Sequence, residues 1–168
     1  MSAGGPDEII VPPQEADVDD AATEPISVLL VEDDPDVGHM LERRLASEGL
    51  SIRRAVDGDE ALKEAMAERP DVIVLDLMLP GMDGYKMARI LRQQEGCSDV
   101  PIVVLSALSH RDNRKRAVKE AGASAYLTKP FDFRELIEAV RRALPERGED
   151  EGGSTNEPPR GAAPETTP

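Results

Sequence analysis

Short apolar runs with no polar alternation recur along the chain. Residues 26–31 (Ile-Ser-Val-Leu-Leu-Val), 72–75 (Val-Ile-Val-Leu) and 101–105 (Pro-Ile-Val-Val-Leu) are mainly branched aliphatics. That pattern predicts strands buried on both faces, as in a parallel sheet. Residues 50–56 alternate more, which suits an edge strand, and 123–127 give a short last strand. Between the strands the apolar period changes to that of a helix. Val37, Met40, Leu41 and Leu45 make the first stripe, with Asp34 as its N-cap, Pro35 in the first turn and Gly49 at its end. Asp57-Gly58-Asp59-Glu60 opens a second helix with Ala61, Leu62, Ala65 and Met66 inward, stopped by Pro70. Asp83-Gly84 starts a third, with Met87, Ile90 and Leu91 inward. A basic helix is expected over 109–121, and a last one over 132–144 buries Leu136, Ile137, Val140 and Leu144 before Pro145.

Strict alternation of five strands and five helices predicts an α/β domain with helices on both faces of a parallel sheet. Right-handed connections in a doubly wound, flavodoxin-like order 2-1-3-4-5 bring the carboxyl ends of strands one, three, four and five together. Those ends carry Glu32-Asp33, Asp76, Ser106 and Lys129.

Composition limits this domain to residues 26–145. Residues 1–25 contain seven acids, four prolines and no Lys or Arg, and residues 146–168 contain six acids, two arginines and many Gly, Ser, Thr and Pro. Both are expected to be disordered tails, because they bury too little apolar surface to offset their ordering entropy. They contribute −7 and −4 to the net charge of −14, so the domain itself carries only −3. This balance argues against a nucleic-acid surface. Ile9-Ile10-Val11 is read as chance apolar residues in a coil. One cysteine, Cys97, excludes an internal disulfide, and no apolar run reaches the ~20 residues that span a bilayer. A cytoplasmic protein is expected, with no membrane partner.

The gathered residues suggest a chemistry. Glu32, Asp33 and Asp76 on one sheet edge would repel one another, and a hard divalent cation such as Mg²⁺ resolves that conflict. Beside it, Asp76 becomes an ionised carboxylate suited to attack phosphorus. Lys129 supplies a positive charge to phosphoryl oxygens and Ser106 a hydrogen-bond donor. A simple capping role for the first acidic group explains only Asp34.

The segments Leu30-Val31-Glu32-Asp33-Asp34-Pro35, Leu75-Asp76-Leu77-Met78-Leu79-Pro80-Gly81-Met82-Asp83-Gly84, Leu105-Ser106-Ala107 and Tyr126-Leu127-Thr128-Lys129-Pro130-Phe131 together resemble the receiver domain of response regulators in two-component signalling. The resemblance covers residues 26–145. It implies Asp76 as the phospho-acceptor, Ser106 and Lys129 as its catalytic partners, and Mg²⁺ held by Glu32, Asp33, Asp76 and the backbone carbonyl of Met78. It further implies a cis bond before Pro130 and a switch residue at Tyr126. The implied donor is a sensor histidine kinase or a histidine phosphotransfer protein. The implied output is protein contact through the fourth helix, last strand and fifth helix, by a monomer or a phosphorylation-dependent dimer. Met78 and Leu108 depart from the family, which can place polar residues there to orient water; slow loss of the phosphate is expected, with both side chains shielding it.

Nothing after Pro145 reads as a helix-turn-helix, so no DNA binding is expected, and no turnover of an external substrate. Two other functions compete. A receiver-like scaffold would act without phosphorylation, but such domains usually lack one of the acids, the hydroxyl or the lysine. A phosphatase of the haloacid dehalogenase type needs a second Asp two residues after the first, where this chain has Met78.

Overall fold

The structure, a computed structural model, describes residues 24–108 and 111–145. The expectations for the acidic tails, including Ile9-Ile10-Val11, lie outside these residues. Five strands and five helices follow one another in alternation: β1 (Ser27–Val31), α1 (Pro35–Ala46), β2 (Ser51–Ala55), α2 (Gly58–Ala67), β3 (Val72–Asp76), α3 (Gly84–Leu91), β4 (Ile102–Ser106), α4 (Arg111–Arg116) continued by a π-helical turn (Ala117–Ala121), β5 (Ala125–Thr128) and α5 (Phe133–Ala143). All strand pairs are parallel and the sheet order is β2-β1-β3-β4-β5, as expected.

The two-residue period of each strand divides the core into two layers. Leu29, Val31, Ile73, Leu75, Ile102 and Val104 face α2, α3 and the π-helical turn. Val28, Leu30, Val72, Val74, Val103 and Leu105 face α1 and α5. Every residue of β3 and β4 is buried, which explains the unbroken apolar runs. Each such aliphatic side chain contributes about 1.5–3 kcal/mol by leaving water. Register then fixes the sheet edge: Val31 lies beside Leu75, and Asp76 beside Leu105. The residues after these positions emerge at one level.

Four helices begin on an aspartate. Asp34, Asp57, Asp83 and Asp132 each accept a hydrogen bond from a first-turn amide of α1, α2, α3 and α5. These bonds satisfy donors that a helix start leaves orphaned. They also separate the capping acids from Glu32 and Asp33, which cap no helix.

The helical stripes differ from the sequence expectation at two methionines. Met40 and Met66, read as inward, are about half exposed. On α1 the buried side includes Gly38, where the Arg54 guanidinium lies so close that a Cβ would fall 2.6 Å from Nη2. The helix thus turns its glycine, not Met40, toward β2. On α2 the small residues Ala61 and Ala65 and Leu62 fill the space, leaving Met66 outside. The expected single helix over 109–121 instead changes from α to π winding at Ala117 and ends at Gly122, whose φ of 60° suits glycine.

Gly84 positions the site most tightly. A Cβ there would meet Leu77 Cα at 2.8 Å and the Asp76 carbonyl oxygen at 2.9 Å, both backbone atoms that cannot yield cheaply. Gly84→Ala is therefore expected to cost about 1–3 kcal/mol in a urea unfolding titration; an unchanged midpoint would mean that α3 does not hold the end of β3 so closely.

Candidate functional site

The carboxyl edge of the sheet gathers the residues that sequence reasoning singled out. Glu32 follows β1, Asp76 ends β3, Ser106 ends β4 and Lys129 follows β5. The Lys129 amide donates to the Ser106 carbonyl at 2.7 Å, which locks the last two together. The Lys129–Pro130 bond is cis, as the resemblance implied.

Carboxylate oxygens of Glu32, Asp33 and Asp76 lie within 4.8 Å of one another. Glu32 is 2% exposed and Asp76 6%, whereas Asp33 stands open to solvent. Two like charges at that spacing repel by on the order of 3 kcal/mol at an effective dielectric of 20. The Lys129 ammonium answers this by bridging the buried two, at 2.8 Å from Glu32 Oε2 and 2.6 Å from Asp76 Oδ2. The other Asp76 oxygen, Oδ1, accepts from the Met78 amide at 2.8 Å.

Burial pushes the Glu32 carboxyl above the ordinary range, and the Asp76 charge adds to that; the bond and charge of Lys129 pull it back only in part. For Lys129, burial acts downward and is the largest single influence. Hydrogen bonds to Asp76 and Glu32, with their charges, together outweigh it and raise the ammonium. The two directions are compatible because one ammonium serves two carboxylates, while Glu32 shares its cation with Asp76.

Ser106 is fully buried and its Oγ accepts from the Leu108 amide at 3.1 Å. Tyr126, on β5, is buried in the layer beneath α3 and donates its hydroxyl proton to the Leu108 carbonyl. The segment from Ser106 to Leu108 is thus held from both sides. Sequence reasoning named Ser106 and Tyr126 but not the Leu108 backbone that joins them, since a main-chain acceptor leaves no mark in a sequence. It took Arg114 and Arg116 only as part of a basic helix, whereas Arg114 donates to the Tyr126 carbonyl at 3.0 Å and the Arg116 guanidinium lies 4.3 Å over the Tyr85 ring.

Met78 and Leu108 do line one open cavity of about 610 Å³ together with Asp33 and Arg116. Met78 is 61% exposed, while Asp76 beside it is 6% exposed. The loop after β3 folds the Met78 amide onto the carboxylate. Among the described residues, no helix is long and apolar enough to cross a membrane.

Comparison with known proteins agrees with this geometry. The model of the response regulator receiver domain matches residues 28–141. The transcriptional regulatory protein PrrA of Mycobacterium tuberculosis is 46% identical over 131 residues, covering 78% of this chain and 54% of PrrA. The DNA-binding dual master transcriptional regulator RpaA of Synechocystis is 37% identical over 117 residues, covering 70% of this chain and 48% of RpaA. The chain thus spans about half the length of the curated relatives it matches. Among solved structures, the receiver domain of a Pseudomonas aeruginosa sensor histidine kinase, with a magnesium ion coordinated in its active-site cleft, is similar at a TM-score of 0.66 and 36% identity, covering 71% of this chain and 98% of that one. These relatives overturn the expectation of no DNA binding: several are named as transcriptional regulators, one as DNA-binding. The near-neutral charge behind that expectation describes only the half that is matched. With the family model covering most of its length and strand order, sheet edge and relatives in agreement, this chain belongs to the response regulator receiver domain family.

Proposed function

We propose that this chain accepts a phosphoryl group on Asp76 from a phosphohistidine of a sensor histidine kinase or histidine phosphotransfer protein. The single observation that carries this reading is the juxtaposition of three carboxylates and one ammonium around Asp76. The donor set fits Mg²⁺: Glu32, Asp33 and Asp76 offer hard oxygens at one point, and the Met78 carbonyl is the backbone ligand to be added. When bound, the ion neutralises charge on the phosphoryl oxygens.

The residues of the chain supply the rest. An Asp76 oxygen attacks phosphorus in line with the departing imidazole nitrogen; the P–N bond breaks as the P–O bond forms. Lys129 Nζ, already at Asp76 Oδ2, pairs with a phosphoryl oxygen as charge moves outward from the carboxylate. Ser106 turns its hydroxyl proton to a second oxygen, and the Leu108 amide that bonds its Oγ follows. Tyr126 answers through the Leu108 carbonyl, which couples the site to β5 and α4. Output then proceeds through the face of α4, β5 and α5. The relatives support control of transcription as its end point.

Loss of the phosphoryl group needs an oriented water. Neither the Met78 thioether nor the Leu108 side chain is a useful hydrogen-bond partner for one, which supports slow hydrolysis even though Met78 stands open.

Incubation with acetyl phosphate and Mg²⁺ is expected to add one phosphoryl group by mass, and Asp76→Asn to abolish the gain; no gain in the wild type favours the scaffold reading. In the same assay Met78→Asn is expected to shorten the phosphoryl half-life about tenfold, equivalent to one hydrogen bond in the transition state. An unchanged half-life would remove the explanation from Met78.

Lys129→Met leaves Glu32 and Asp76 buried together without their cation. An expected loss of about 3 kcal/mol at neutral pH follows from breaking a buried pair. The sign of its pH dependence is set by Glu32. Its folded-state pKa lies above the unfolded value, so the folded state binds the proton more tightly and gains stability as pH falls through that titration. Without Lys129 that gain is larger. The deficit of the variant should therefore narrow on acidification in denaturant titrations across pH; a deficit that is constant or widens contradicts the assignment.

A further inference from the structure

The helix after Ser106 carries more positive charge than the phosphoryl site uses. Arg111, Arg114, Lys115, Arg116 and Lys119 stand against Asp112 and Glu120 on α4 and its π-helical turn. Arg116 pairs with Glu120 at 2.9 Å. Among the described residues, no carboxylate makes an ion-pair contact with Arg111, Arg114, Lys115 or Lys119. Between these cations Val118 is 57% exposed. A groove of about 700 Å³ runs beside them, with Arg114, Val118 and Tyr126 on one side and Glu138, Ala139 and Arg142 of α5 on the other. The α5 wall also brings Glu135, and its Arg142 is already paired with Glu138 at 2.7 Å. The attractive wall for an anionic segment is therefore that of α4.

The course of the chain places such a segment at the mouth of this groove. Pro145 lines a small cavity together with Gly122 and Ser124, so the chain leaves the described residues where the π-helical turn ends. Glu149-Asp150-Glu151 follow after Glu146-Arg147-Gly148, a spacer in which one acid and one arginine cancel in charge. Four to six extended residues beyond Pro145 reach up to about 13–20 Å. The helix from Lys119 back to Arg111 rises about 12 Å, which lies within that reach. The acids near the N-terminus enter by Glu24, in a cavity with Ser51 and Glu68 that shares Arg69 and Asp71 with the Pro145 cavity but extends toward β2 and away from α4. The sheet order sets β2 and β5 at opposite edges.

We propose that Glu149-Asp150-Glu151 dock on the cationic face of α4, over the groove shared with β5 and α5, as an intramolecular competitor for partners of that face. Single exposed ion pairs are weak. A tether of a few residues compensates by holding the acids at an effective concentration on the order of millimolar. The contact does not depend on phosphoryl acceptance at Asp76, and its test uses the unphosphorylated chain, so either reading can fail without the other.

The test places a nitroxide on Ser154→Cys in the full chain, with the buried Cys97 left in place. At low salt the amides of residues 114–119 should broaden, by an amount unchanged on dilution. The broadening should be lost in Glu149→Gln/Asp150→Asn/Glu151→Gln and in Lys115→Gln/Lys119→Gln. It should also vanish near 1 M salt, where the screening length is about 3 Å. Absence of broadening, or its survival in the neutralised chain, overturns the proposal. So does broadening that fades on dilution, which assigns the face to a second copy. Loss of broadening only when Asp17, Asp19 and Asp20 are neutralised would assign the face to the N-terminal acids and overturn the proposal as well.

Discussion

Lys129 Nζ lies 2.8 Å from Glu32 Oε2 and 2.6 Å from Asp76 Oδ2, and the architecture of the sheet edge depends on this bridge. Without it, two buried carboxylates would face each other with a third, Asp33, alongside. A lysine with its side chain 26% exposed holds them because one ammonium offers three donors and reaches both carboxylates at once. The arrangement leaves the carboxylates geometrically fixed and short of positive charge. Those are the conditions under which a divalent cation binds and a carboxylate serves as a nucleophile.

That bridge is positioned by packing far from it. Four parallel strands reach the edge in register because their inner residues are buried on both faces and cannot slip by one position without exchanging layers. Gly84 lets α3 close on the end of β3, and the bond from the Lys129 amide to the Ser106 carbonyl ties β5 to β4. The segment from Ser106 to Leu108 then links the charged site to Tyr126, and Arg114 links Tyr126 to α4. Charge at Asp76 and the surface of α4 are therefore joined by hydrogen bonds through only a few residues.

Much of this was legible in the sequence because burial and helix periodicity write directly into residue type. Unbroken apolar runs marked β1, β3 and β4, and each chemical residue stood immediately after or at the end of one. Acids that cap helices were separable from Glu32 and Asp33 by their position before a first turn. What sequence could not give depended on neighbours. Met40 and Met66 lie outside because Gly38 and two alanines fill the helix contacts, and the stripe alone treats methionine as core. The α-to-π change at Ala117 has no residue signature, and backbone acceptors such as the Leu108 carbonyl have none at all. The expectation about DNA failed for a different reason: net charge characterises the domain that carries it, and the relatives are about twice as long as the match.

If Asp76 is the acceptor, phosphorus becomes bonded to that one carboxylate. Borohydride reduces an acyl phosphate to an alcohol and leaves free carboxylates intact, so reduction of the phosphorylated chain followed by peptide mapping locates the bond. Conversion of residue 76 alone to homoserine is the predicted result. Conversion at Asp33 or at another acid, or phosphorylation with no reducible carboxyl, would contradict it.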